Sequence, residues 1–197
     1  MLRRLDVELL QISPSDVGWD VFSLTYIVDA PITMVLHQKA MLQYKQIFNF
    51  LWRIKKVEMD WARVWLSAVH VASTPEMRPM FHLCQSLCAE MGHFIRQIQY
   101  YILFEVIEFS WASFLKGLEV AVDLDHVLQA HETYLATLML RSFLSPSVSN
   151  KVILPLLQSL FDTIAKFFEV QVYFLFYFIL FFSFKKRSCF IFKFIAR

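Results

Sequence analysis

Only three glycines occur in 197 residues, too few to build a phosphate-cradling loop, and no Walker sequence, G-x-G-x-x-G or G-x-S-x-G is present. The three cysteines are an odd number, and neither an Asn-x-Ser/Thr sequon nor an N-terminal secretory pattern accompanies them. Those absences argue against a disulfide framework and against secretion, and place the chain in a reducing, cytosolic compartment. Concentrated positive charge is missing as well. Residues 1–169 hold 14 Lys and Arg against 17 Asp and Glu, a balance of −3, so the electrostatic footprint of a nucleic-acid partner is absent.

What is abundant is apolar and aromatic surface. At 57% hydrophobic and 17% aromatic residues, the chain is too apolar to stay unfolded and long enough for one domain with a core.

Candidate chemistry is sparse. His82, Cys84, Cys88 and His93 fall within one predicted helix, but paired cysteines in zinc sites usually sit on a knuckle with a second ligand pair elsewhere, so Cys84 and Cys88 read as small core residues. His131-Glu132 opens like H-E-x-x-H, yet Leu135 stands where the second histidine belongs, and His131 lies on an apolar face as a core histidine would. Asp123 and Asp125 sit at a helix start. We therefore expect no catalytic residue, no metal and no cofactor, and no enzyme activity.

The period of the hydrophobic pattern predicts a mainly α fold, a long-helix bundle with a small N-terminal β-hairpin. Leu5, Val7 and Leu9 alternate with polar neighbours, as do Phe22, Leu24, Tyr26 and Val28, which predicts two half-buried strands around a turn at Ser13–Gly18. Asp29 and Pro31 announce a helix over about 32–70, with Leu36, Ala40, Tyr44, Ile47, Phe48, Leu51, Ala62, Trp65, Leu66 and Val69 on its buried face. A break at Ser73-Thr74-Pro75 precedes a second helix over about 80–109, with Leu83, Leu87, Met91, Phe94, Ile95, Ile98 and Ile102 inward. Ser110 is expected to cap a short helix through Val120, and Asp123 to start another whose apolar face holds Leu124, Val127, Leu128, His131, Leu135 and Leu138. The last helix is expected over about 148–168, kinked at Pro155.

On the first long helix, Trp52 falls off the predicted buried stripe, beside Lys45, Asn49, Arg53 and Lys56. An aromatic among long cations is a mixture enriched at protein interfaces, so these five residues are the candidate partner-binding set. The plainer alternative is a contact within the chain that periodicity cannot reveal.

Three ordered stretches carry a resemblance. GWDVFSLTYIVDAPI (Gly18 to Ile32), FNFLWRIKKVE (Phe48 to Glu58), and the run from Gln99 that reads QYYILFEVIEFSW and later DLDHVLQAHETYL resemble the C-terminal region of the gamma-tubulin complex components, most closely the component 3 branch. The likeness spans roughly Leu2 to Gln171. It departs at Ala30, where the family pattern has Gly before Pro31, and over Met59 to Thr74. The resemblance implies a helical domain that holds gamma-tubulin in the cytoplasm at a centrosome or spindle pole. Other gamma-tubulin complex components would be further partners, and nucleation of microtubules the outcome. It also implies a partial chain, since the family's final helices beyond about Gln171 find no counterpart.

The charge balance divides the chain into a 1–171 helical domain and a 172–197 tail. From residue 170 onward there are five basic residues and no acid, and eleven of the 21 phenylalanines lie between Phe167 and Phe194. Val170 to Phe184 is a run of 15 uncharged residues. As a helix it would reach about 22 Å of a roughly 30 Å bilayer core, which argues against a spanning segment. Three readings compete: a short membrane-prone anchor with a basic flank, a β-prone aggregating segment, and translation past a splice donor. The third accounts best for the abrupt compositional shift, because Gln171-Val172 can be encoded CAG then GTN, a common donor sequence. If the tail were the working part, the chain would instead be a small membrane-associated helical protein.

Overall fold

The computed structural model describes residues 4–9, 18–71, 78–146 and 148–195. The turn expected over residues 13–17 and the break expected at Ser73-Thr74-Pro75 lie outside them. The fold is mainly α with a small antiparallel hairpin, as the hydrophobic pattern predicts. In chain order the elements are β1 (Leu5–Leu9), α1 (Gly18–Val21), β2 (Phe22–Tyr26), a 3₁₀ turn (Ile32–Met34), α2 (Gln38–Val71), α3 (Arg78–Tyr100), a π-helical segment (Tyr101–Glu108), α4 (Phe109–Val120), α5 (Leu124–Arg141) and α6 (Val148–Ile195). The chain forms two compact units, one of Met1–Lys56 with Ile95–Ser159 and one of Val57–Phe94 with Leu160–Arg197.

In the first unit, β1 and β2 pair with Leu5 opposite Tyr26, Val7 opposite Leu24 and Leu9 opposite Phe22. The strands are where alternation predicts them, and β2 is half-buried at Phe22, Leu24 and Tyr26 as expected, whereas β1 is exposed on both faces. Leu5, Val7 and Leu9 are 44%, 56% and 70% exposed, while Ser23 on β2 is fully buried. The contact with α2 runs mainly through β2, where Ser23 donates to Asn49 and Phe22 packs against Phe48 and Trp52, while β1 is exposed along its length and reaches α2 through the Glu8–Lys45 ion pair.

Ala40, Ile47, Phe50 and Ile54 are the buried residues of this unit's part of α2, and from Ile47 on their spacing is three and four. The predicted stripe shares Ala40 and Ile47 with this seam, but its Tyr44, Phe48 and Leu51 are half-buried and Phe50 and Ile54 are buried beside them.

Expected to end near Phe109, the second helix instead continues through the π segment into α4, and Ser110 is a buried helical residue without a capping role. Nothing between Tyr101 and Lys116 breaks a helix, as neither Gly nor Pro occurs there. The wider π turn re-aims the surface: Ile102 and Val106 point inward, while Leu103 and Phe104 are each 47% exposed.

Asp123 caps α5 as predicted, in an extended conformation with its carboxylate accepting from the His126 amide at 2.9 Å. That bond, joined by the charge of His126, holds the Asp123 carboxyl below its ordinary 3.8. His131, Tyr134, Leu135, Leu138 and Met139 form the buried face of α5, whereas the predicted Leu124 is exposed. The helix closes on a Schellman turn, with Leu144 N–H donating to the Met139 carbonyl at 2.9 Å. Phe143 takes the left-handed position with φ 62°, its ring stacked on Tyr101 at 6.0 Å.

The second unit buries Val57, Val64, Cys88, Phe161, Ile164 and Phe168. Trp61 donates from its indole to the Cys88 carbonyl at 2.9 Å, and Gly92 lies directly beneath the same ring. The stripe predicted for this helix fails at Leu83 and Leu87, which are exposed while Cys88 and Gly92 are buried, and holds further on, with Met91 and Phe94 half-buried and Ile95 buried. Cys88 is thus the small core residue expected, and Cys84 is half-buried.

Predicted to stop near Phe168, the last helix runs on to Ile195 with Pro155 inside it. The Phe-rich stretch contains neither Gly nor Pro, so no local stop signal interrupts it. Among the described residues, no helix is long and apolar enough to cross a membrane.

Candidate partner-binding surface

Of the five candidate residues, Lys45, Asn49 and Trp52 lie on the α2 face that receives the hairpin. Lys45 Nζ meets Glu8 Oε2 of β1 at 2.7 Å. One turn on, Asn49 accepts at Oδ1 from the buried Ser23 hydroxyl of β2 at 3.1 Å. Trp52, three residues further, donates from its indole nitrogen to the Trp19 carbonyl at 3.0 Å. Spacings of four and three keep all three on one helical face, so each reaches a different part of the hairpin.

Trp52 is the centre of an aromatic cluster. Its ring stacks on Trp19 at 4.6 Å, meets Phe22 at 4.8 Å and lies 5.8 Å from Phe48. The sequence placed Trp52 on an outward side, and the structure corrects this: it is half-buried and packed within the chain, the plainer of the two alternatives. Arg53 and Lys56 are half-buried too, and each has an interaction of its own. The geometry therefore brings Lys45, Asn49 and Trp52 together as the seat of the hairpin.

Trp19 was missed as a member of this cluster. Its signal was the short Gly18–Val21 helical turn immediately before β2, which sets the Trp19 ring on Trp52, but no periodicity marks so brief an element.

What the seat presents outward is β1, exposed at Asp6 and Glu8 as well as at its apolar residues. Leu5, Val7 and Leu9 of β1 stand exposed, flanked by the exposed Arg4–Asp29 ion pair at 3.0 Å.

Deeper in the same unit the ionisable groups are structural. Tyr44 hydroxyl and His131 Nε2 lie 3.1 Å apart. Burial, aided by neighbouring Tyr134, pushes the Tyr44 phenol up to about 12. Burial also holds His131 below its ordinary 6.5, with His37 adding to the effect and Glu132 opposing it. Both groups are uncharged near neutrality, which fits the core histidine read from the sequence.

Comparison with known proteins places this geometry in a family. The family model for the gamma tubulin complex component C-terminal region matches residues 1–178. Gamma-tubulin complex component 3 homolog of Xenopus laevis is 42% identical over 175 residues, covering 87% of this chain and 19% of that protein. Human gamma-tubulin complex component 3 gives the same identity and coverage. Spindle pole body component alp6 of Schizosaccharomyces pombe is 41% identical over 156 residues, 76% of this chain and 19% of its own length. The chain thus spans about a fifth of the length of these relatives.

Proposed function

Because the chain belongs to the gamma-tubulin complex component family, matching its C-terminal region, we propose that it is a gamma-tubulin-binding scaffold that supports microtubule nucleation. The observation that carries this reading is the family match through residue 178, which takes in the hairpin, α2 to α5 and most of the helical part of α6 that precedes the basic tail. Gamma-tubulin and sister components of the complex are the proposed partners. The place of action is a microtubule-organising centre, the centrosome or spindle pole, in keeping with the spindle pole body name of the fission yeast relative. The work is geometric: a folded platform holds partners at a fixed spacing and raises their effective concentration for assembly.

In this reading Lys45, Asn49, Trp52, Arg53 and Lys56 serve the gamma-tubulin contact, with Lys45, Asn49 and Trp52 also seating the hairpin. Residues 1–171 are the working domain and the tail from Val172 adds nothing to binding.

The test is a binding measurement of the full chain, and of the chain ended after Gln171, against purified gamma-tubulin. Both forms are expected to bind. Absence of binding by both, with native circular dichroism, would overturn the reading. Alanine at Trp52 and Arg53 is expected to weaken the complex, whereas unchanged affinity removes the site assignment and leaves the family intact. The origin of the tail is read from transcripts: a spliced form lacking Val172 to Arg197 is expected, and reads continuing through that stop would sink the splice-donor proposal.

A further inference from the structure

The hairpin has one open edge. Among the described residues its sheet has two strands and ends at β1, all five residues of which are exposed. In the hairpin's register Arg4 lies opposite Ile27 and accepts from its N–H at 2.8 Å. Backbone bonding alternates along an antiparallel pair, so Asp6 and Glu8 bond across to Thr25 and Ser23. The N–H and C=O groups of Leu5, Val7 and Leu9 therefore point away from β2, a row of three donor and acceptor pairs spaced about 7 Å apart.

One donor of that row is occupied from within the strand. Val7 N–H donates to the Asp6 carboxylate at 2.9 Å, in agreement with its outward direction, and Asp6 thus guards the middle of the edge. Glu8, on the same face of the strand, is held by Lys45 at 2.7 Å. Asp6 meets no cation among the described residues, so the charge left unmatched on this edge is negative and sits beside Val7.

We propose that the β1 edge docks an extended segment of a partner protein as a third, antiparallel strand, with a lysine or arginine of that segment opposite Asp6. A strand presents N–H and C=O groups in alternation at the spacing of the row, whereas a helix has already spent its own on internal bonds. The guard sets the need for a cation. Drawn to it, the Asp6 carboxylate releases the Val7 N–H, while an uncharged strand would displace the carboxylate and offer it nothing in return. Opposite Leu5, Val7 and Leu9, whose side chains share the other face, the segment carries apolar residues. A second copy of β1 is the wrong occupant, because antiparallel pairing with Val7 on Val7 sets Asp6 against Glu8 twice. Read from its N-terminus, the ligand pattern is apolar, neutral, apolar, basic, apolar. The proposal does not use the gamma-tubulin reading and stands or falls without it.

The test titrates the full chain into Val-Thr-Val-Lys-Val-amide bearing an N-terminal fluorophore, following anisotropy and the amide resonances of the chain. Binding is expected, with the Leu5, Val7 and Leu9 amides shifting more than those of Asp6 and Glu8, which β2 already holds. The permuted peptide Val-Lys-Val-Thr-Val-amide moves the cation onto the occupied Glu8 and is expected to bind about threefold more weakly. Val7→Pro deletes an edge donor that β2 does not use, at a position where an edge strand tolerates proline, and is expected to weaken binding at least about tenfold. If Val7→Pro disrupts the hairpin, Asp6→Lys serves, with a reversed preference for the peptide carrying Glu in place of Lys. No binding at millimolar peptide by the folded chain, equal binding of the permuted peptide, or indifference to Asp6→Lys overturns the proposal. Self-association of the chain that Val7→Pro abolishes would place a second copy on the edge and overturn it as well.

Discussion

The Tyr44 hydroxyl and His131 Nε2 meet at 3.1 Å across 87 residues of chain, tying α2 to α5 through two groups that burial keeps uncharged. A histidine with a depressed folded pKa takes up its proton more readily when unfolded. Its contribution to stability is therefore complete above the ordinary value of 6.5 and is lost as pH falls below it toward the lower folded value. The denaturation midpoint of the natural chain is expected to drop between pH 7 and pH 5 relative to that of His131→Gln. Parallel curves would refute it. At pH 7, Tyr44→Phe removes the hydroxyl partner and is expected to cost about 1–2 kcal/mol.

The hairpin seat can be dissected at Trp52. Trp52→Phe keeps a ring in the aromatic cluster and deletes the indole donor to the Trp19 carbonyl, an expected loss of about 1 kcal/mol. Trp52→Ala also vacates the contacts with Trp19, Phe22 and Phe48, with an expected loss of about 3 kcal/mol. Amide exchange in β1 and β2 should speed up in the alanine variant more than in α5. Uniform acceleration across the chain would show that the cluster serves the whole unit and not the hairpin.

Gly92 gives a prediction with an unambiguous sign. Helix propensity alone would have Gly92→Ala stabilise α3 by about 1 kcal/mol. A methyl there would overlap the Trp61 indole, so the expected result is destabilisation of about 1–3 kcal/mol in a chemical melt. Trp61→Phe in the same chain should relieve part of that loss, giving a cost below the sum of the two single changes.

Thiol reactivity separates the two cysteines of α3. Burial, with Cys84 nearby, pushes the Cys88 thiol up to about 11, so almost no thiolate is present at pH 8. Cys84 is half-buried. Mass mapping after iodoacetamide treatment at pH 8 should find Cys84 alkylated first, and Cys88 only once denaturant is added. Equal labelling of the native chain would mean that the α3 contact with Trp61 opens readily.

Element type was legible in the sequence because local spacing fixes it. Alternation at Leu5–Leu9 and Phe22–Tyr26 requires strands, the 3–4 spacing along α2 and α3 requires helices, and Asp123 caps α5 from within its own turn. The absence of phosphate loops and the ordered stretches from Gly18 to Leu135 likewise depend on the chain alone, and they led to the family that the comparisons show.

Which face of each element is buried depended on partners distant in sequence. Leu5, Val7 and Leu9 alternate as a buried strand should, yet it is β2 that meets α2, through Ser23 on Asn49 and Phe22 on Phe48 and Trp52, and β1 stays exposed. Trp52 left the surface because the Trp19 turn delivered an indole face and a carbonyl to it. Ser110 sits inside an unbroken helix because nothing local stops the π segment. Periodicity knows a residue's neighbours three and four places away. Only the tertiary fold brings together groups 26, 37 or 87 residues apart, and those encounters decided what is core, what is seat and what faces the solvent.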